Sequence, residues 1–154
     1  MKIFGLVPAL LLAGCGMQQP PTSFPPTTFE HRVADGRVEL YWNCSQPEAG
    51  VLQVDGVAQS PWTQDIRFLE LELVGVSAQG RTVAATRAPV PDLVLHTNAP
   101  SPFRLLLRTT GGEARMDLYY QYRHRGEPDI GLGLGFPRFG SEFRRSFVRD
   151  ACSC

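Results

Sequence analysis

The sequence predicts an all-β fold, a single antiparallel sandwich of about seven strands. Three observations predict it. Apolar and polar residues alternate with period two, not 3.6, in segment after segment between residues 37 and 123. Turn-forming residues separate these segments at spacings of about 8–14 residues. No stretch of helical periodicity intervenes, so the strands have no crossover helices and must pair antiparallel.

Each strand can be read from its alternation. Residues 37–43 put Val38, Leu40 and Trp42 on one face. Residues 50–58 turn Leu52 and Val54 inward, and Asp55-Gly56 signals a kink or bulge. Residues 66–76 set Leu69, Leu71 and Leu73 on one side and Glu70 and Glu72 on the other. Residues 78–81 form a turn into a strand at 82–85. A short strand at 92–96 follows Pro89 and Pro91. Residues 103–109 alternate Phe103, Leu105 and Leu107 with Arg104 and Arg108. Thr110-Gly111-Gly112-Glu113 reads as a tight hairpin turn into residues 114–123, where Met116, Leu118, Tyr120 and Tyr122 share a face. Half-solvated strands of this kind fit an immunoglobulin-like sandwich.

Residues 52–122 carry a loose motif series: Val54-Asp55-Gly56-Val57, the alternating stretch 69–80, Pro100-Ser101-Pro102-Phe103 and Leu118-Tyr119-Tyr120-Gln121-Tyr122. The series resembles the small bacterial sandwich domains of the FxLYD type, related to the late-embryogenesis and Ig-like envelope modules. Val76 and Ser77 depart from it, standing where a Tyr-Asp pair would precede the turn glycine. The resemblance covers about half the chain and implies a sandwich without enzymatic activity.

The flanks set the domain limits. Met1 and Lys2 precede an apolar run at 3–12, inside the roughly 7–15 residues of a signal-peptide core and short of the about 20 a membrane-spanning helix needs. Pro8 further disfavours a long helix. Leu12-Ala13-Gly14-Cys15 then resembles the bacterial lipobox. That resemblance implies a signal peptide at 1–14, cleavage before Cys15, lipid on the Cys15 thiol and attachment to a membrane of the bacterial cell envelope. Gly16, where Asp would favour inner-membrane retention, directs the expectation to the outer membrane, facing the periplasm. Residues 15–36 are the lipidated cysteine and a Pro-rich tether, in which the stretch 16–28 would extend by roughly 40 Å at about 3.1 Å per residue. Residues 37–125 are the sandwich. Residues 126–154 read as an irregular Gly/Arg/Phe-rich tail ending in Cys-Ser-Cys.

Charge and cysteine usage narrow the function. The 15 basic and 15 acidic residues balance, which gives no pull towards nucleic acid. Gly131 to Phe136 alternates glycine with apolar residues but lacks the frame of a nucleotide loop. His31, His96 and His124 are scattered, beside the tether, at a strand end and after the last strand. No nucleophile elbow or zinc-protease motif occurs, and Glu70 and Glu72 read as an outward face. Hence no catalytic residue, metal or cofactor is expected. In an oxidising compartment Cys44 pairs with Cys152 or Cys154; Cys152 is preferred because the last residue frays. An alternative uses Cys44, Cys152 and Cys154 as a metal-binding or thiol-redox set. The tail interleaves Arg138, Arg144, Arg145 and Arg149 with Phe136, Phe139, Phe143 and Phe147. These aromatics are expected to pack on the domain itself, the alternative being an acidic partner or lipid headgroups. The function that emerges is a lipid-anchored, non-catalytic binding or structural module for an envelope protein or glycan. Its surface would be an exposed sheet edge or the aromatic-basic tail.

Overall fold

A computed structural model describes residues 28–125 and 141–152. Its strands are β1 (His31–Ala34), β2 (Glu39–Glu48), β3 (Val51–Gln59), β4 (Ile66–Val76), β5 (Thr82–Pro89), β6 (Val94–Leu95), β7 (Ser101–Arg108), β8 (Arg115–Arg125) and β9 (Ser141–Val148). One sheet runs β1-β2-β3-β7; the other runs β5-β4-β8-β9, with β6 also paired to β4. Every pairing between these strands is antiparallel. The fold is the two-sheet, immunoglobulin-like sandwich that the alternation predicts.

Period two builds the core. Leu40, Trp42, Leu52, Val54, Leu105 and Leu107 from one sheet meet Leu69, Leu71, Leu73, Leu118, Tyr120 and Tyr122 from the other, all buried. Each such aliphatic side chain contributes roughly 1.5–3 kcal/mol by leaving water. Alternation thus decides which side of each strand faces in, and a slip of one residue would expose the whole set.

Four expectations are corrected. Nine strands stand among the described residues, against about seven, because β1 and β9 lie in the segments assigned to tether and tail. β1 is short and is held by pairing with β2 and by His31 stacking on Trp42 at 5.5 Å. β9 pairs with β8 over its whole length, so this part of the tail is not irregular. The Thr110–Glu113 turn does not close a hairpin, since β7 and β8 belong to opposite sheets. Its chemistry fixes the bend: Glu113 accepts from the Thr110 and Gly111 amides at 2.7 and 2.9 Å. Those backbone donors also hold the Glu113 carboxyl below its ordinary value. Turn residues encode a bend, not the sheet a strand joins.

Asp55-Gly56 makes no bulge; Gly56 pairs in register with Trp42 and Phe103. It must be glycine because the Phe103 ring and the Tyr41 carbonyl fill the space a Cβ would take. The irregularities fall at Ser45/Glu48, Gly75/Val76 and Arg67/Glu70.

Past β9 the chain turns at Asp150, at φ 56°, and plugs the gap between the sheets. Ala151 and Cys152 are buried. The Ala151 amide donates to the Met116 carbonyl at 2.6 Å, and the Trp42 indole N–H donates to the Ala151 carbonyl at 2.8 Å. Cys44 and Cys152 form a disulfide across 108 positions, tying β2 of one sheet to the end of β9 in the other. Cys15, Cys154, the glycine run 131–136 and the residues Phe136, Arg138 and Phe139 lie outside the described residues.

Candidate interaction surface

β9 is an edge strand. Its inner side pairs with β8, and among the described residues no strand pairs with its other side. The opposite flank differs, because there the edge strands β5 and β7 of the two sheets approach each other. Asp35, just after β1, fastens the β8–β9 pair. It accepts from the Tyr122 hydroxyl at 2.8 Å and lies 3.6 Å from the Arg144 guanidinium. Burial, reinforced by that hydrogen bond to Asp35, pushes the Tyr122 phenol well up.

The expectation that the tail aromatics pack on the domain holds only in part for the two that are described: Phe147 stacks on Tyr119, yet both rings stay largely in solvent. Phe143 and Phe147 are 60% and 56% exposed. They alternate along β9 on the solvent face of the five-stranded sheet, opposite Arg123 and Tyr119 of β8. The residue of β9 that packs against the core is Val148, on the opposite side of the strand. The two surfaces suggested by the sequence, a sheet edge and an aromatic-basic tail, are therefore one surface.

Two aromatic-arginine groups stand on this face. In the first, Phe147 stacks on Tyr119 at 5.3 Å, and the Arg145 guanidinium lies 5.2 Å from the Tyr119 ring. Arg145 reaches Glu72 at 3.3 Å; Arg87 reaches Glu72 at 3.1 Å and Glu70 at 3.8 Å. Gln121 donates to Glu70. The outward placement of both glutamates agrees with the alternation, and their partners are Arg87 on β5, Gln121 on β8 and Arg145 on β9.

The second group lies at the other end, where β4 bulges against β8 between Arg67 and Glu70. Phe68 is the extra residue. It sits at φ 53° and is 56% exposed. A bulky non-glycine residue there is a genuine outlier, held by the Phe68 amide donating to the Leu93 carbonyl at 3.0 Å. The Arg123 guanidinium lies 5.9 Å from the Phe68 ring, within cation–π range. Arg67 stands directly opposite Arg123. Neither arginine has a carboxylate partner among the described residues. A cleft of about 710 Å³ opens here, lined by Gln64, Arg67, Phe68, Arg123 and Ser141 among others. Gln64 Oε1 is shielded from solvent and has no hydrogen-bond partner. Asp65, also at the rim, is engaged by His96 Nδ1 at 3.0 Å.

His124 is the residue furthest from its sequence reading. It is buried within β8, not beyond it, and helps line the cleft. Its Nδ1 lies 3.1 Å from the Arg125 carbonyl, and the Arg37 guanidinium approaches both ring nitrogens. The three histidines stay apart, on β1, beside β6 and on β8. Phe68 and the Arg67–Arg123 pair were missed. The legible signal was Ile66-Arg67-Phe68-Leu69, where period two breaks and an apolar residue falls on the polar side.

No family model matches the chain, and no curated protein matches it. Among solved structures it is similar to the GAE domain of yeast GGA1, crystallised as "GGA1_GAE domain-P21". The identity is 10%, covering 77% of this chain and 96% of that one, at a TM-score of 0.49. It is also similar to the GAE domain of GGA2p from Saccharomyces cerevisiae, with 9% identity over 80% of this chain and 98% of that one, again at 0.49. Likenesses this distant say nothing of ligand or activity.

Proposed function

We propose that this chain is a lipid-anchored protein of the bacterial cell envelope, a non-catalytic module that binds a segment of another envelope protein along β9. Lipid on Cys15 holds it to the outer membrane, facing the periplasm, and the Pro-rich tether spaces the sandwich from the bilayer. Two or more acyl chains, at about 0.8 kcal/mol per buried CH₂, make such anchoring stable. The observation that carries the binding role is β9 itself, an edge that no strand among the described residues covers, with Phe143 and Phe147 largely in solvent. Soluble proteins blunt such edges, and an extended segment added there would satisfy the edge backbone and cover the rings. The thiol alternative has less to work with, since Cys44 and Cys152 are joined and Cys152 is buried.

Two measurements test the reading. A photo-crosslinking residue at Phe143 or Phe147 of the full-length protein in cells should give a discrete protein adduct, and one at Val83 on β5 should not. Equal adducts at both edges, or none at β9, would sink the binding role. Intact mass of the membrane-extracted protein should begin at Cys15 with added acyl chains, and Cys15→Ala should abolish them. A soluble, unacylated wild type would remove the anchor.

A further inference from the structure

We infer that the cleft at the bulged end of the outer face takes a carboxylate side chain of an acidic peptide segment, held between Arg67 and Arg123 and against the Phe68 ring. The inference rests on the proposed role of β9 and names the chemistry of the partner.

The first argument is charge. Arg67 and Arg123 are directly opposite on neighbouring strands, an arrangement that repels. Neither has a carboxylate among the described residues. A guanidinium pair presents planar, forked donors, the geometry that a carboxylate accepts. The second argument is backbone. A bulge re-aims side chains, and this one turns Phe68 outward from a left-handed conformation. Such conformations persist where surrounding structure enforces them and concentrate at binding sites. The third is continuity. Ser141, the first residue of β9, lines the same cleft, so a segment lying along the β9 edge runs into it.

The test uses the full acylated protein in detergent and fluorescence anisotropy. The probe is a blocked octapeptide alternating glutamate with threonine; its glutamine counterpart is the reference. The glutamate peptide should bind at least tenfold more tightly than the reference. Arg67→Gln and Arg123→Gln, made separately, should each bring that ratio close to one. Arg108→Gln, on the exposed side of β7 in the other sheet, should leave it unchanged. A ratio that survives both cleft substitutions, or falls as far in Arg108→Gln, overturns the inference. So does full displacement of the glutamate peptide by millimolar inorganic phosphate or by phosphatidylglycerol vesicles, which would make the cleft a general anion site. The two readings fail separately. Crosslinking at Phe143 with no glutamate preference removes the cleft and keeps the edge. A glutamate preference lost in Arg67→Gln without crosslinking at Phe143 keeps the cleft and removes the edge.

Discussion

The two ends of one sheet face are built from the same parts and are finished differently. At one end Tyr119, Phe147 and Arg145 are closed by Glu70 and Glu72, with Arg87 completing the charge balance. At the other end Phe68, Phe143, Arg67 and Arg123 have no carboxylate among the described residues, and a cleft opens beside them. The difference teaches that an arginine on an aromatic is not in itself a feature of either stability or binding. A carboxylate within reach makes it a brace; without one, the guanidinium remains available to a carboxylate from outside. Partly exposed ion pairs contribute about 0–1 kcal/mol each, so the brace is modest, and the contrast lies in availability more than in strength.

The largest perturbation breaks both ends at once. β9 carries Phe143 to one group and Arg145 and Phe147 to the other, and the Cys44–Cys152 bond holds its end. Cys44→Ser should lower stability by about 4–5 kcal/mol, by the chain-entropy argument for a loop of this length. The check is the denaturation midpoint with and without reductant; equal midpoints for wild type and variant under oxidising conditions would refute it. Next come the aromatics, where opposite signs are expected. Tyr119→Ala should cost about 1 kcal/mol through lost stacking and cross-strand packing. Phe68→Gly should gain about 1 kcal/mol, because glycine accepts the left-handed backbone that phenylalanine resists, while glutamate-peptide affinity falls. Thermal unfolding beside the anisotropy assay reads both, and a destabilised Phe68→Gly would show that the ring is structural.

The arginines should differ by less. Arg145→Gln should lose under about 1 kcal/mol, and that loss should shrink in high salt. Arg123→Gln should lose nothing, since it relieves the repulsion with Arg67. Equal losses in a urea titration would erase the contrast. The smallest effect lies off the face. Glu113 has a folded-state pKa below its ordinary 4.5, held there by backbone donors of the turn. Its contribution is therefore fully present above pH 4.5 and is lost as pH falls through the depressed value. Glu113→Gln should flatten that acid limb and leave peptide binding unchanged. An acid limb identical to wild type would assign the loss to other carboxylates.

The core was legible because burial and alternation are one signal on a strand packed on one side. Leu69, Leu71 and Leu73 could be placed inward, and Glu70 and Glu72 outward, from period two alone. β9 was not, because its large apolar residues face water and its neighbours are charged, so the alternation carried no inward meaning. β1 has four residues and borrows its order from β2. The β7–β8 crossing was illegible in principle: turn residues specify a bend, and the choice of sheet is made by contacts far along the chain. The candidate surface was half legible. Its phenylalanines and arginines stood out by composition, but the bulge that brings Phe68 to Arg123 appears only as one misplaced apolar residue.

The plug at residues 151–152 also orders events in time. Trp42 and Cys44 stand early in the chain, yet the carbonyl that receives the indole N–H and the sulfur that completes the disulfide arrive more than a hundred residues later. A chain that emerges from its N-terminal end can pair β2 with β3 as soon as both are out, but it cannot lock until Cys152 has followed β9. The clasp therefore closes only on molecules whose last strand is in place and whose surroundings are oxidising. The strand proposed to meet partners is fixed in the same step, so interrupted or reduced chains would present a loose edge to proteases in place of a finished one to ligands.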